Sequence, residues 1–240
     1  MSTPKNSTAI VTGASSGIGL GIAQALLERG WNVVGTSRTI TQSKDLKKST
    51  QLVLVDGEAS KKETAVAVVD AAIKSFGRID LLVNNAGIFI PKPFTDYTED
   101  DFNRVVNTNI ASYFYMTQQV IPAMKKQHSG HVVNLSAVIA DQPGKVLALL
   151  AVLSKSTMPA VSKALALEYA ADNIRFNTVS PGNVNTPMHA NDDHSALAKW
   201  HPLNRIAEIS DVVDAILYLQ NATFVTGENI RVDGGVHAGR

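Results

Sequence analysis

The chain has 240 residues, 45% of them hydrophobic, and its 22 basic and 21 acidic side chains leave a formal charge of +1. That length allows one large α/β domain spanning residues 1–240, and the balanced charge leaves no electrostatic footprint for nucleic acid or an anionic membrane. The absence of cysteine excludes disulfides, thiol nucleophiles and thiolate metal sites; with a polar start over residues 1–6 and no run of membrane-spanning length, it fits a cytoplasmic protein.

Residues 8–19, Thr-Ala-Ile-Val-Thr-Gly-Ala-Ser-Ser-Gly-Ile-Gly, organise the chain. Ala9, Ile10 and Val11 form the apolar run of a buried strand. Gly13, Gly17 and Gly19 follow at G-x-x-x-G-x-G spacing, with Ser15, Ser16 and Ile18 between them, and residues 20–29 have the pattern of a helix with Leu20, Ala23 and Leu27 on one side. Strand, glycine turn and helix together suit a dinucleotide. Glycine lets the backbone approach a pyrophosphate, and the helix start presents free N–H groups and a partial positive charge. A plain chain reversal needs one glycine, not three at this spacing.

Residues 31–36 predict a second strand, ending at Ser37-Arg38 with no acidic residue. An acidic side chain there would accept from a ribose 2′-OH and repel a 2′-phosphate; a guanidinium does the reverse, so Arg38 points to NADP rather than NAD. Residues 52–56 predict a third strand, and Asp56 at its end is placed either to accept from an adenine amino group or to cap a turn. Ser60 and Glu63 have capping-box spacing ahead of a helix with Val66, Val69 and Ile73 on its apolar face. Residues 79–83 predict a fourth strand running into Asn84-Asn-Ala-Gly87, where amides and small residues suit close backbone approach to a ligand or an ordinary turn.

Thr98 and Asp101 predict a second capping box, followed by a long helix over 105–127 that contains Asn109 and Tyr113. Residues 131–135 form a fifth strand ending at Ser136. Residues 146–171 are helical in pattern but interrupted by Pro159; residues 174–179 form a sixth strand that leads into Ser180-Pro-Gly-Asn-Val-Asn-Thr-Pro187. Residues 188–205 are polar and irregular, Ser210 is placed to cap a last helix over 211–220, and residues 228–232 form a seventh strand before Asp233-Gly-Gly235. Strands alternating with helices predict an α/β, doubly wound, mostly parallel seven-stranded sheet with helices on both faces. Ligands of such sheets lie beyond the carboxyl ends of the strands, where Gly13, Arg38, Asp56, Asn84, Ser136 and Gly182 all fall.

Thr12-Gly-Ala-Ser-Ser-Gly-Ile-Gly19, Asn84-Asn-Ala-Gly87, Asn109, Ser180-Pro-Gly182 and Val232-Asp-Gly-Gly235 together resemble the short-chain dehydrogenase/reductase family over essentially the whole chain. The resemblance implies a Rossmann-type fold and a nicotinamide cofactor. It implies that Asn84, Asn85, Ala86 and Gly87 line that cofactor, that Pro181 and Gly182 bind it as well, that Val184 and Thr186 hold its nicotinamide end, and that residues 188–205 form a lid over a small-molecule substrate. It also implies a homo-oligomer, dimer or tetramer, assembled through the two long helices and the last strand.

Catalysis in that family uses a serine, a Tyr-x-x-x-Lys pair one helical turn apart and a supporting asparagine. Lys155 matches the lysine and Asn109 the asparagine. The tyrosine position holds Ala151, and no tyrosine occurs from 137 to 168. Family spacing places the serine near Val138, two residues past Ser136. Pro159 clashes with the carbonyl of Lys155 in a continuous helix, which predicts a loosened turn there and a re-aimed lysine. His189, His194 and His201 in the lid are candidate substitutes for the missing acid, because an imidazole titrates near neutrality; Lys155 acting through water, aided by Asn109, is another. The apolar segment Leu147, Leu149, Leu150, Ala151 and Val152 suits either plain core or the wall of an apolar substrate pocket. Two functions follow: an NADP-dependent oxidoreductase of a small apolar carbonyl or alcohol with an atypical proton donor, or a dinucleotide-binding module that has lost most of its catalysis.

Overall fold

In the computed structural model, which describes residues 6–239, seven strands form one parallel sheet among the described residues. They are β1 (Thr8–Thr12), β2 (Asn32–Ser37), β3 (Leu52–Asp56), β4 (Leu81–Asn84), β5 (Gly130–Leu135), β6 (Ile174–Pro181) and β7 (Asn229–Val232), in the order β3-β2-β1-β4-β5-β6-β7. All five positions of β1 are buried, the continuous apolar run expected of a strand covered on both faces. Successive side chains alternate sides. Ala9 and Val11 therefore pack with α1 (Gly17–Glu28), and Ile10 packs on the opposite face with α2 (Lys62–Phe76). The chain order reverses between β1 and β4, which opens a crevice at the carboxyl edge of the sheet.

The remaining helices are α3 (Glu99–Val106), α4 (Ser112–Gln127), α5 (Leu149–Lys155), α6 (Thr157–Glu168), α7 (His194–Trp200) and α8 (Ile209–Asn221). Ile22, Ala23 and Leu26 of α1 join Val212, Ile216 and Leu219 of α8 over one face of the sheet. Val68 and Ala72 of α2, Met116, Val120 and Met124 of α4 and Ala166 of α6 cover the other.

Several element boundaries differ from the sequence expectation for identifiable reasons. The first helix begins at Gly17, three residues before Leu20, so the middle glycine of the motif is its first residue. Ser60 does not cap the second helix; Lys61 occupies the N-cap, and the helix is closed by Gly77 at φ 76°. The Thr98–Asp101 box is present, with the Asp101 N–H donating to Thr98 Oγ1 at 3.1 Å and the Thr98 N–H to Asp101 Oδ2 at 3.0 Å. The expected rod over 105–127 is instead α3 and α4 joined by one π-helical stretch, Asn107–Ala111. The helix expected over 146–171 divides at Ser156, one residue past Lys155 and three before Pro159. The expected irregular lid contains α7, and α8 starts one residue before Ser210, with Glu208 at its N-cap.

Candidate active site

A cleft of about 1060 Å³ opens at the carboxyl edge of the sheet. Gly13, Ser15, Ser16, Gly17 and Ile18 line it from the glycine turn, Arg38 from the end of β2, Ala86 and Gly87 from beyond β4, and Pro181, Gly182, Val184 and Thr186 from beyond β6. Ser136 and Lys155 line the same cleft. Thus most of the predicted site residues converge, although they are spread from position 13 to position 186.

The glycine turn is built for close approach. Gly13 has φ +67°, and a Cβ there would lie 2.9 Å from Asn85 Nδ2. Asn85 Nδ2 donates to the Thr12 carbonyl at 2.9 Å, while the N–H groups of Asn85 and Ala86 both donate to Thr12 Oγ1 at 3.0 Å, stitching the end of β4 to the turn. At the start of α1, Ser16 makes no side-chain cap and the first turn carries no acidic residue. Its leading N–H groups therefore remain available to an anion. This arrangement fits the pyrophosphate of a dinucleotide. Arg38 is exposed at the cleft and makes no ion pair among the described residues, so its fork is available for a further phosphate.

Four predicted site residues do not line the cleft. Gly19 is internal: an added Cβ would lie 2.3 Å from the Gly13 carbonyl oxygen, so its role is to let the helix pack against the turn. Asp56 is turned away and caps a loop, accepting from the Thr41 N–H at 2.8 Å and the Thr41 hydroxyl at 2.5 Å; these bonds lower its pKa. Asn84 is buried, donating to Thr117 Oγ1 at 3.0 Å and Asn134 Oδ1 at 2.9 Å, and its neighbour Asn85 takes the cleft position. Asn109 is fully buried in the π-helical stretch. Its Oδ1 accepts from the Ile88 N–H at 2.8 Å, and its Nδ2 donates to the Ile88 carbonyl and to Ser154 Oγ, each at 3.0 Å. It holds the loop after Gly87 in place from behind.

Lys155 is half-buried, and its Nζ donates to the Leu135 carbonyl at 2.6 Å. Loss of water around the amine lowers its pKa to about 8. Ser136 Oγ donates to the Lys155 main-chain carbonyl at 2.8 Å. Ala151, one turn before Lys155, lines the cleft with a methyl group. Of the apolar segment around it, Leu147 and Leu149 face solvent, while Leu150 is core. The apolar wall comes instead from Ile88, Phe89, Ile139, Val146, Leu197 and Trp200.

The three histidines of residues 188–205 separate clearly. His189 lines the cleft and pairs through Nδ1 with Asp192 at 2.7 Å. His194 is spent on the His189 carbonyl at 2.9 Å. His201 is buried, with Nδ1 on the Leu197 carbonyl at 3.0 Å and Nε2 accepting from the Asn183 N–H at 3.1 Å. The sequence reading missed the cleft residues 57–61, Asn107 and Thr108. Taking Ser60 as a cap concealed the first group, and the helical periodicity around Asn109 gave no sign of the wide turn that aims the second. Among the described residues no cluster of His, Asp or Glu forms a metal site, and no helix is long and apolar enough to cross a membrane.

The family model described as enoyl-(acyl carrier protein) reductase matches residues 13–237. The chain is 32% identical to the 3-oxoacyl-(acyl-carrier-protein) reductase FabG of Chlamydia trachomatis, with 96% of this chain and 97% of that protein covered. Its backbone is similar to the 3-ketoacyl-(acyl-carrier-protein) reductase of Brucella melitensis complexed with NADH, at a TM-score of 0.92 and 28% identity over 98% of this chain and 100% of that one. It is also similar to ElxO with NADP bound, at a TM-score of 0.91 and 26% identity over the same shares.

Proposed function

Because the chain belongs to the short-chain dehydrogenase/reductase family, a family of NAD(P)-dependent oxidoreductases, we propose that it is an NADP(H)-dependent reductase of a small apolar carbonyl compound whose proton does not come from a tyrosine. The observation that carries this reading is that one cleft holds the pyrophosphate cradle, the free guanidinium of Arg38 and the low-pKa amine of Lys155. Bound NADPH would supply a hydride. Gly13 to Ile18 would hold its pyrophosphate, Arg38 its 2′-phosphate, and Val184 and Thr186 its nicotinamide end. Lys155 places positive charge beside the reacting region below its pKa of about 8. Val146, Leu197 and Trp200 exclude water and favour an apolar substrate.

Loss of the phenol removes a general acid worth about 10²–10⁴-fold. Positioning of donor and carbonyl can supply about 7–11 kcal/mol independently of it, so a cleft of this form can still turn over slowly, as a poor enzyme unless another group supplies the proton. A homo-oligomer in the cytoplasm fits the same reading: Phe114 of α4, Leu149 and Leu153 of α5 and Leu167 of α6 are exposed apolar side chains, Leu167 at 83%.

The test is fluorescence titration with NADPH and NADH, combined with reduction of a panel comprising cyclohexanone, aliphatic aldehydes and 3-oxoacyl thioesters. Preferential NADPH binding with oxidation that depends on a panel member supports the reading. Ala151 and the Ser136 hydroxyl, already donated to Lys155, favour a second reading, a binding module without catalysis. Tight NADPH binding with no turnover across the panel selects it.

A further inference from the structure

We propose that His189, oriented by Asp192, is the proton donor that serves the carbonyl oxygen in place of the missing phenol. The inference rests on the reductase reading. His189 begins from a fixed point: its N–H donates to the Thr186 carbonyl at 2.9 Å, and Thr186 lines the same cleft. Its own carbonyl accepts from His194 Nε2 at 2.9 Å, which ties the turn to α7. The ring lies against Asp192 Oδ2 through Nδ1 at 2.7 Å. A carboxylate on Nδ1 holds the imidazole in one orientation, leaving Nε2 as the working nitrogen. Nε2 has no partner among the described residues. The side chain is 19% exposed, so it is reached from the cleft without being fully solvated.

The other two lid histidines lack this freedom. Both ring nitrogens of His201 are committed to main-chain groups, and His194 does not line the cleft. Ala151 lines the same cleft as His189, with a methyl group where the family carries its tyrosine. The other charged groups lining the cleft are Arg38, Glu58, Lys61, Arg104, Lys145 and Lys155. None of these is paired with His189; Asp192 is its only ion-pair partner among the described residues.

The step balances simply. The carbonyl carbon accepts hydride from the reduced nicotinamide, the C=O π pair passes to oxygen, and that oxygen takes the Nε2 proton. The imidazolium becomes neutral imidazole and is reprotonated by solvent, to which the side chain is 19% exposed. The carbonyl is reduced to an alcohol, and the nicotinamide is oxidised.

The experiment uses the full chain, NADPH and the panel member that the wild type reduces fastest. His189→Ala and His189→Gln are expected to lower kcat/KM by about 10²–10⁴-fold while the NADPH dissociation constant stays within about twofold. Added imidazole is expected to restore His189→Ala, in proportion to the imidazolium form, and Asp192→Asn to lower the rate less than either. In the binary complex with NADP, adding the alcohol product is expected to shift the His189 ring signal in the NMR spectrum. A His189→Ala rate close to wild type overturns the proposal, as does a loss that imidazole does not rescue or a ring signal unmoved by the alcohol. Wild-type protein that binds NADPH yet reduces nothing in the panel overturns the reductase reading and the proposal together, whereas the first three outcomes overturn the proposal alone.

Discussion

The Ser136 hydroxyl donates to the Lys155 carbonyl at 2.8 Å. In a regular helix that carbonyl would accept from the N–H four residues later, but residue 159 is proline and has none. A side chain from the end of β5 therefore satisfies the acceptor that Pro159 leaves open. Ser136 is 4% exposed, so water does not readily replace it.

Removal of this bond should be costly and conditional. Ser136→Ala is expected to destabilise the protein by about 1–3 kcal/mol, the cost of an unsatisfied buried acceptor. Pro159→Ala supplies a competing N–H and is expected to shrink that cost in the double variant. Urea denaturation of the four proteins checks it, and additive effects would refute the linkage.

Arg38 should govern the choice between cofactors. Arg38→Asp is expected to weaken NADPH binding by about 10- to 100-fold, the value of a charge-assisted hydrogen bond, and to weaken NADH binding little. Parallel titrations with the two nucleotides measure this. Equal losses for both would mean the guanidinium does not meet the 2′-phosphate.

Gly19 should be intolerant of any side chain although it does not line the cleft. Gly19→Ala forces a methyl against the Gly13 carbonyl, 2.3 Å away, and Asn85 Nδ2, 2.4 Å away. The expected outcome is a loss of about 1–3 kcal/mol of stability from overpacking together with weakened NADPH binding. Calorimetry and titration read the two effects separately.

The amine of Lys155 gives a stability signature at alkaline pH. Its folded pKa, about 8, lies below its ordinary value of 10.5, so between those values the unfolded chain binds more protons and stability rises with pH. Relative to Lys155→Met, the wild type should gain up to about 3 kcal/mol from pH 8 to 10.5 and show a constant difference below pH 8. A difference that does not change across that window would show the amine to be solvated.

Asp101 acts at the acid end. The Lys92 amine at 2.5 Å and the Thr98 N–H hold its carboxyl at about 2. Its contribution is present above pH 4 and is lost as pH falls through 2. Asp101→Asn should therefore flatten the acid limb of a melting-temperature profile between those values.

The apolar strand runs and glycine spacing made the sheet, its carboxyl edge and most of the cleft legible in the sequence. What escaped depended on parity and on distant partners. Leu82 packs beneath α4, and Asn84, two residues on, points to the same side, where it meets Thr117. Counting in twos along β4 would have withdrawn Asn84 from the cleft and left Asn85 there. Asp56 could not be resolved locally, because its partner, Thr41, lies in a loop without periodic pattern. Among the three histidines of residues 188–205 only tertiary contacts distinguish the one that lines the cleft, His189, from His194 and His201, which are taken up by main-chain groups. The break beside Lys155, by contrast, was readable from Pro159 alone.

The wide turn at Asn107–Ala111 also has a mechanical consequence. One extra residue in a turn advances everything after it by about 100° around the helix axis. It thereby resets the phase between α3 and α4, so that Asn109 looks toward Ile88 while Met116, Val120 and Met124 still meet the sheet. Deleting a single residue there would roll all of α4 off its seat, whereas a substitution at the same spot need disturb only one amide.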